Sequence, residues 1–409
     1  MNCRFCRNPL QHEFINLGNS PPSNSYLTKE QLDLPEIFYP LKLLVCDQCF
    51  LVQIDEYKKS AEIFDENYAY YSSFSSAWLD HAKRYVEMAT DRFQLNEQSN
   101  VLEIASNDGY LLQYFKAKQI PTLGIEPAKN VARVAMDKGI ESITEFFGLQ
   151  LAEKLINKNY MADLIIGNNV FAHVPDINDF VEGLKTILKP TGIITLEFPH
   201  LMQLFENNQF DTIYHEHFSY YSFFTAKQIL EKYQLDVFDV EQLPTHGGSL
   251  RVFAKHRENS SQEISCHVDD LLNDEERKGM KTLDYYKGFH KKVDQIKIDL
   301  IDFLLTQKKN KMRVAAYGAA AKGNTLLNYC GIKNDLIEFV VDASPHKQGM
   351  YLPASHIPIV NEETLKNEKP DYILVLPWNL KEEIINQLHY AREWGAQFVL
   401  PIPQLEIIE

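Results

Sequence analysis

The sequence predicts an α/β protein in three segments, and three observations predict it. Two C-x2-C pairs, Cys3/Cys6 and Cys46/Cys49, stand near the start, with residues 7–45 between them. From about residue 100, short apolar runs alternate with stretches of helical periodicity, and the alternation begins again near Met312. Alternating strands and helices give a mostly parallel sheet covered on both faces. A chain of 409 residues is too long for one ordinary core, so two or three domains are expected.

The first segment, residues 1–65, is read from its cysteines. A C-x2-C turn lets two sulfurs face one tetrahedral ion, and Cys3, Cys6, Cys46 and Cys49 together complete a four-thiolate zinc shell. The short flanking segments build little core, so the metal supplies folding energy directly. Four protein ligands close the site, which makes the zinc structural rather than catalytic. The competing readings are two disulfides or four free thiols. The polar start Met1-Asn2-Cys3 does not resemble a signal peptide, so a reducing, cytoplasmic setting is expected and disulfides are not. The Pro/Ser/Asn-rich stretch 17–24 reads as loop, and 37–46 and 50–54 as short strands.

The second segment, residues 66–255, opens with the aromatic run Tyr68-Ala69-Tyr70-Tyr71. A helix over 76–94 carries Trp78, Ala82, Tyr85, Val86 and Ala89 at helical spacing. Strands are expected at 100–105, 121–126, 162–167 and 192–197, with helices at 110–117, 128–138 and 177–188 between them. The third segment, residues 256–409, begins with a charged helical connector over 268–310, broken at Gly279 and Gly288. A second α/β pattern follows: strand 312–317, a turn at Gly318, helix 319–329, then strands at 337–341, 372–376 and 397–399.

Bulk properties exclude some functions. A net charge of −15 and a pI near 5.4 argue against nonspecific nucleic-acid binding, and Arg4, Arg7, Lys42 and Lys58 are too sparse for a phosphate track. No apolar run reaches the roughly 18 residues of a membrane span. A monomer or weak homo-oligomer is expected. Cys266 and Cys330 read as ordinary small residues.

Ligands of an open parallel sheet bind beyond the carboxyl ends of its strands. There the sequence places Glu103 to Gly109, then Glu126, then Asn168 and Asn169. A carboxylate at the position of Glu126 can hold two ribose hydroxyls, and Gly109 permits close backbone approach. The three-glycine dinucleotide fingerprint is absent, since Ala105 and Ser106 stand where glycines belong. A nucleoside held by its ribose and amino-acid parts, such as S-adenosylmethionine, fits better than a dinucleotide. The segment Tyr214-His215-Glu216-His217 is not H-E-x-x-H, so a zincin reading fails on spacing. Histidine suits proton abstraction near neutral pH, and a tyrosine or second histidine suits the stabilisation of an enolate oxygen. Sequence alone does not separate His215 from His217 as the base.

The chain resembles the sugar C-methyltransferases that act on nucleotide-activated deoxysugars. The resemblance covers nearly all of it. It rests on the cysteine pairs, Tyr70-Tyr71-Ser72-Ser73, Leu102 to Gly109, Gly124-Ile125-Glu126-Pro127, Asn169 to Asp176, Tyr214 to His217, His246 to Arg251 and Tyr317 to Gly323. It implies a class I methyltransferase domain at the centre, a small zinc-binding domain before it, and a C-terminal Rossmann-like domain that helps hold the nucleotide-sugar. By the same resemblance Glu103, Ser106, Asp108 and Gly109 lie near the methionine part of S-adenosylmethionine, and Glu126 holds the ribose. Ala105 departs mildly from the family's usual glycine. The resemblance matches the base to His217, with Tyr214 at the reacting face and Glu216 as an active-site acid; His173, Asn169 and Tyr70 line the same pocket. His215, His246, Arg251 and Lys322 are further candidates for holding substrate, and Asp342 and His346 weaker ones. The expected reaction is methylation at carbon 3 of a nucleotide-linked 4-keto deoxysugar. The alternatives are a nicotinamide-dependent nucleotide-sugar epimerase or dehydrogenase, and a non-catalytic zinc-containing binding protein.

Overall fold

The structure, a computed structural model, describes residues 1–63 and 71–408. Strands β1 (His12–Ser20), β2 (Tyr39–Val45) and β3 (Val52–Ile54) form an antiparallel sheet. β1 runs through residues 17–20, which the sequence presents as loop. Its pairing with β2 slips between Asn16 and Asn19, where Gly18 sits at φ +77° and donates its N–H to Asn16 Oδ1 at 2.9 Å. Turn-type residues there build a bulge inside a strand rather than a loop.

The middle of the chain supplies β4 (Val101–Ile104), β5 (Thr122–Ile125), β6 (Ser142–Ile143), β7 (Ala162–Asn168) and β8 (Leu188–Pro199). β9 (Ser219–Tyr220) leaves this region and pairs with β3 as the fourth strand of the N-terminal sheet. β10 (Leu235–Leu243) and β11 (Ser249–His256) then return. The large sheet is ordered β6-β5-β4-β7-β8-β11-β10, with β11 antiparallel to both of its neighbours. All four residues of β4 are buried, as a central strand covered on both faces requires. Connections run outward in opposite directions from β4 and β7, so a crevice opens beyond their carboxyl ends. The helix Ser76–Arg92 is capped by the Ser75 hydroxyl, which accepts from Trp78 N, and it buries the face predicted by its periodicity.

Helices Cys266–Arg277 and Phe289–Lys309 lead to a second sheet of β12 (Val314–Tyr317), β13 (Val340–Val341), β14 (Ile359–Val360), β15 (Tyr372–Val375), β16 (Gln397–Leu400) and β17 (Glu406–Ile408). Its order is β14-β13-β12-β15-β16-β17, parallel except for β17. The packing ignores the segment boundaries. One apolar core joins Phe14, Leu43 and Ile54 to Phe210 and Phe218, and on to Phe289, Leu326 and Val375. A second joins Cys3, Cys46 and Cys49 to Leu102, Ile165 and Phe180 of the middle unit. Among the described residues no helix is long and apolar enough to cross a membrane.

Candidate active site and zinc centre

The two knuckles share one backbone pattern. Cys3 N donates to Asn8 O, and Arg7 N to Cys3 O; Cys46 N donates to Leu51 O, and Phe50 N to Cys46 O. Arg7 and Phe50, each one residue past the second cysteine of its pair, both take positive φ, +67° and +57°. This turn aims both thiols of a pair to one side. The four Sγ atoms lie within 4.8 Å of one another, with Cys3–Cys49 and Cys6–Cys46 at 3.5 Å. Sulfurs about 2.3 Å from a tetrahedral zinc stand about 3.8 Å apart, so the cluster fits the ion. The Gln53 side-chain amide donates to Cys3 Sγ at 3.3 Å, the kind of outer contact that orients a thiolate ligand.

The crevice beyond β4 is lined by polar atoms without partners. Glu103 is fully buried, and neither carboxyl oxygen makes a well-formed hydrogen bond. Burial pushes its pKa well above the carboxylate range against the lowering effect of the Tyr110 side chain, and Asp108 and Glu126 add to the rise. Ser106 Oγ, Asp108 Oδ1 and the Asn168 side-chain amide are likewise buried and unpartnered. Buried polar atoms cost free energy unless they are paired, so this set marks a place for a polar ligand. Glu103 and Glu126, both raised in part by the nearby Asp108 carboxylate, make a setting that suits a cation, and S-adenosylmethionine carries both a sulfonium and an ammonium. Glu126 accepts from Asn107 N at 3.0 Å and Ala128 N at 2.9 Å, while burial raises it to about 7. Gly109 has φ +77°, and a Cβ there would fall 2.4 Å from Ile140 Cδ1. The segment after residue 70 closes against this turn: Ser72 N donates to Asn107 Oδ1 and Ser73 N to Asp108 Oδ2. Tyr70 itself lies outside the described residues.

The chain between β8 and β9 carries the histidine segment, whose side chains diverge. Tyr214 and His217 meet, the hydroxyl 2.8 Å from Nε2 and the ring centroids 4.0 Å apart. His217 Nδ1 lies 3.0 Å from the Thr212 carbonyl. A carbonyl only accepts, so Nδ1 carries the proton, and the Nε2 lone pair accepts from the Tyr214 hydroxyl. Burial, with His173 and His246 nearby, pushes His217 well below the usual histidine range and keeps it neutral. His173 stands edge-on to His217 at 4.7 Å, and burial lowers it to about 4. Asn169, held at φ +54°, places Nδ2 3.3 Å from His246 Nε2. Burial and then Lys322 bring His246 to about 4. Glu216 turns the other way, accepts from Asn24 Nδ2 at 2.7 Å, and is raised by burial to about 7. His215 points into the N-terminal unit, with Nε2 3.3 Å from the Pro40 carbonyl and its ring against Tyr39 and Tyr57.

Two expected substrate contacts have other partners. Arg251 is 5% exposed and bonded to Glu197 at 2.8 Å and Glu241 at 2.9 Å, over the Tyr85 ring. Burial alone would raise the Glu197 carboxyl, but the His81 hydrogen bond and Arg251 bring it below the usual value. Arg251 therefore belongs to a buried ion network rather than presenting a free guanidinium. Lys322 donates to Asn379 Oδ1 at 2.8 Å and lies over the Trp378 ring, on the side of the C-terminal unit that faces the histidines.

A C-methyltransferase of Streptomyces niveus, NovU, is 33% identical over 99% of this chain and 96% of its own length. The chain belongs to the C-methyltransferase family. Three family profiles match this C-methyltransferase in turn: a zinc binding domain over residues 3–64, a methyltransferase domain over 78–240, and a C-methyltransferase C-terminal domain over 244–403. Among solved structures, the PH0226 protein of Pyrococcus horikoshii OT3 is 13% identical, covering 46% of this chain and 95% of that one at a TM-score of 0.38. Magnesium protoporphyrin IX methyltransferase of Synechocystis PCC 6803 is 13% identical over 44% and 77%, at 0.33. The enzyme is thus an S-adenosylmethionine-dependent methyltransferase of class I architecture with a zinc-binding N-terminal unit. Sequence reading of the C-methyltransferase missed Asn24, Asp211 and Trp378. Trp378 Nε1 donates to Asp211 Oδ2 at 2.7 Å beside the histidines, and Asn24 holds Glu216. No local motif signals them, because each acts on a residue more than 150 positions away.

Proposed function

We propose that this enzyme methylates carbon 3 of a nucleotide-linked 4-keto deoxysugar, with His217 as the base. The observation that carries the reading is the 3.0 Å approach of His217 Nδ1 to the Thr212 carbonyl, which assigns the ring proton to Nδ1 and leaves Nε2, 2.8 Å from the Tyr214 hydroxyl, as the acceptor of a buried ring. A carbon beside a ketone is acidic enough for such a base. On binding, the Tyr214 hydroxyl turns its proton to the ketone oxygen, which frees Nε2. His217 takes the C3 proton, and the C–H electron pair becomes the enolate that Tyr214 stabilises. When bound, S-adenosylmethionine would supply the methyl group as a sulfonium electrophile, its S–CH3 bond breaking to leave the neutral thioether S-adenosylhomocysteine. Glu103, Ser106, Asp108, Gly109 and Glu126 hold the cofactor, and Glu126 takes the ribose. His173, Asn169 and His246 shape the sugar pocket, with Tyr70 and Lys322 as further substrate contacts, Glu216 and His215 anchoring the segment to the N-terminal unit, and Arg251 setting the wall behind it. The nucleotide lies toward the C-terminal unit.

The test is His217→Asn, assayed on a panel of nucleotide-4-keto-sugars. Methyl transfer should fall by about two to four orders of magnitude, the usual range for a general base, with cofactor affinity near parental. Exchange of the acidic sugar proton with deuterated solvent should stop, even without cofactor. Tyr214→Phe should slow methylation yet retain more exchange than His217→Asn. Exchange and transfer at parental rates in His217→Asn would reject His217 and point to His173 or His215.

A further inference from the structure

The turn before the histidine segment is held by the C-terminal unit at three points, each on a different element. Asn208 Nδ2 donates to the Pro403 carbonyl at 3.0 Å, Trp378 Nε1 to Asp211 Oδ2 at 2.7 Å, and the Thr325 hydroxyl to the Ile213 carbonyl at 2.8 Å. Phe210 packs edge-on against Tyr329. Between the second and third points lies Thr212, whose carbonyl takes the His217 Nδ1 proton. Asp211 is 0% exposed, so losing the indole would strand a buried carboxyl oxygen. Trp378 is confined as well: a Cβ on Gly247 would fall 2.4 Å from its ring.

We propose that the C-terminal unit positions the catalytic base, with Trp378 acting through Asp211 to fix the 208–213 turn so that the Thr212 carbonyl selects the His217 tautomer with its lone pair on Nε2. The inference rests on the reading of His217 as base. Trp378 and Asp211 are positioning residues, since both act on the reacting atoms only through Thr212 and His217. If the turn relaxes, the Thr212 carbonyl no longer demands a proton on Nδ1. The ring then populates the tautomer whose N–H occupies the place of the base lone pair, and every such molecule is inactive.

The experiment uses the full-length, zinc-loaded enzyme carrying Trp378→Phe, which keeps an aromatic ring and loses the donor. Both kcat and sugar-proton exchange should drop about tenfold, the scale of one buried hydrogen bond to a charged group, with little change in KM. With histidine labelled in 15N, the ring signal that vanishes in His217→Asn should show protonated Nδ1 and bare Nε2 in the parent, and a mixture of tautomers in Trp378→Phe. Asp211→Asn, which keeps an acceptor for the indole, should lose less than Asp211→Ala; this pair carries the test if Trp378→Phe does not fold. Parental exchange with an unchanged nitrogen pattern in Trp378→Phe, or equal losses in the two Asp211 variants, would overturn the proposal. A raised KM with unchanged kcat would overturn it too, by assigning Trp378 to the substrate through Lys322. Parental exchange in His217→Asn would instead defeat the function reading, a result separate from the tautomer measurement.

Discussion

After β4 the chain turns through Ala105 to Gly109 into a helix, and after β12 it turns through Gly318 to Ala320 into another; each turn faces an acid at the end of the next strand. In both, that acid accepts a backbone N–H of the turn: Glu126 from Asn107 N at 3.0 Å, Asp342 from Ala319 N at 2.8 Å. The surroundings differ. Around the first turn, Ser106 Oγ and Asp108 Oδ1 are buried without partners. At the second, Lys347 Nζ reaches Ala319 O at 2.9 Å and Asp342 Oδ2 at 3.4 Å, and Tyr26 donates to Ala319 O at 2.6 Å. Tyr26 comes from the loop between the zinc knuckles. One supersecondary unit thus keeps unpartnered polar atoms at its turn in one sheet and has its turn covered by the chain's own side chains in the other. At the second turn the protein's own side chains take the Ala319 carbonyl and the Asp342 carboxylate.

The largest expected effect comes from removing what holds Tyr26 and its loop. Cys46→Ser, or complete chelation, should abolish the one zinc per chain, cut soluble yield and destabilise the protein by several kcal/mol, as structural zinc binding energy is folding energy. Elemental analysis beside denaturant unfolding measures both. Normal folding and activity after verified zinc loss would remove the structural role. It would also show that the second turn needs no cover from the N-terminal unit.

Next in size is the contrast between the two acids. Glu126→Ala should weaken S-adenosylmethionine binding by about tenfold or more, because a buried acceptor is lost. Asp342→Ala should leave that affinity within about twofold, since its carboxylate belongs to the other turn. Equal effects would erase the distinction. The pH dependence sharpens it. Burial holds Glu126 at about 7, so below that pH the free protein carries a proton on a group that a cationic cofactor wants ionised. Affinity should therefore fall as pH drops through 7, by up to about tenfold per unit, with a proton released on binding. Calorimetry in buffers of different ionisation enthalpy reads that proton, and Glu126→Ala should flatten the profile.

What the sequence reveals of these regions follows from the range of the interactions. The zinc set is legible because each knuckle is a four-residue turn. The acids beyond β4 and β5 are legible because strand ends fall where an apolar run stops. Tyr214 and His217 are three residues apart, close enough to share a face, yet the geometry that divides His217 from His215 depends on Thr212 and Pro40. Arg251 looks free in sequence and is not, because its place on β11 sets it against Glu197 of β8 in register. The loop reading of 17–20 fails for a related reason: Gly18 and two asparagines serve a bulge whose partner strand lies more than twenty residues away. Asp211 and Trp378 acquire meaning only when the two sheets meet.

The smallest effect concerns backbone strain, and there the two turns use opposite solutions. The second turn bends at Gly318, φ +90°, where a Cβ would fall 2.3 Å from Pro377, so only glycine fits. The first places an L residue, Ala105, at φ +57°. A side chain in that left-handed region costs about 1–2 kcal/mol. Glycine would relieve this while adding about 0.4–1 kcal/mol of unfolded-state entropy. Ala105→Gly should thus raise stability by about 0.5 kcal/mol, seen as a higher urea midpoint at constant m value, with cofactor affinity unchanged. A lower midpoint would mean that the Ala105 methyl group contributes packing worth more than the strain it imposes. The family's usual glycine would then be a poorer fit to this crevice than the alanine.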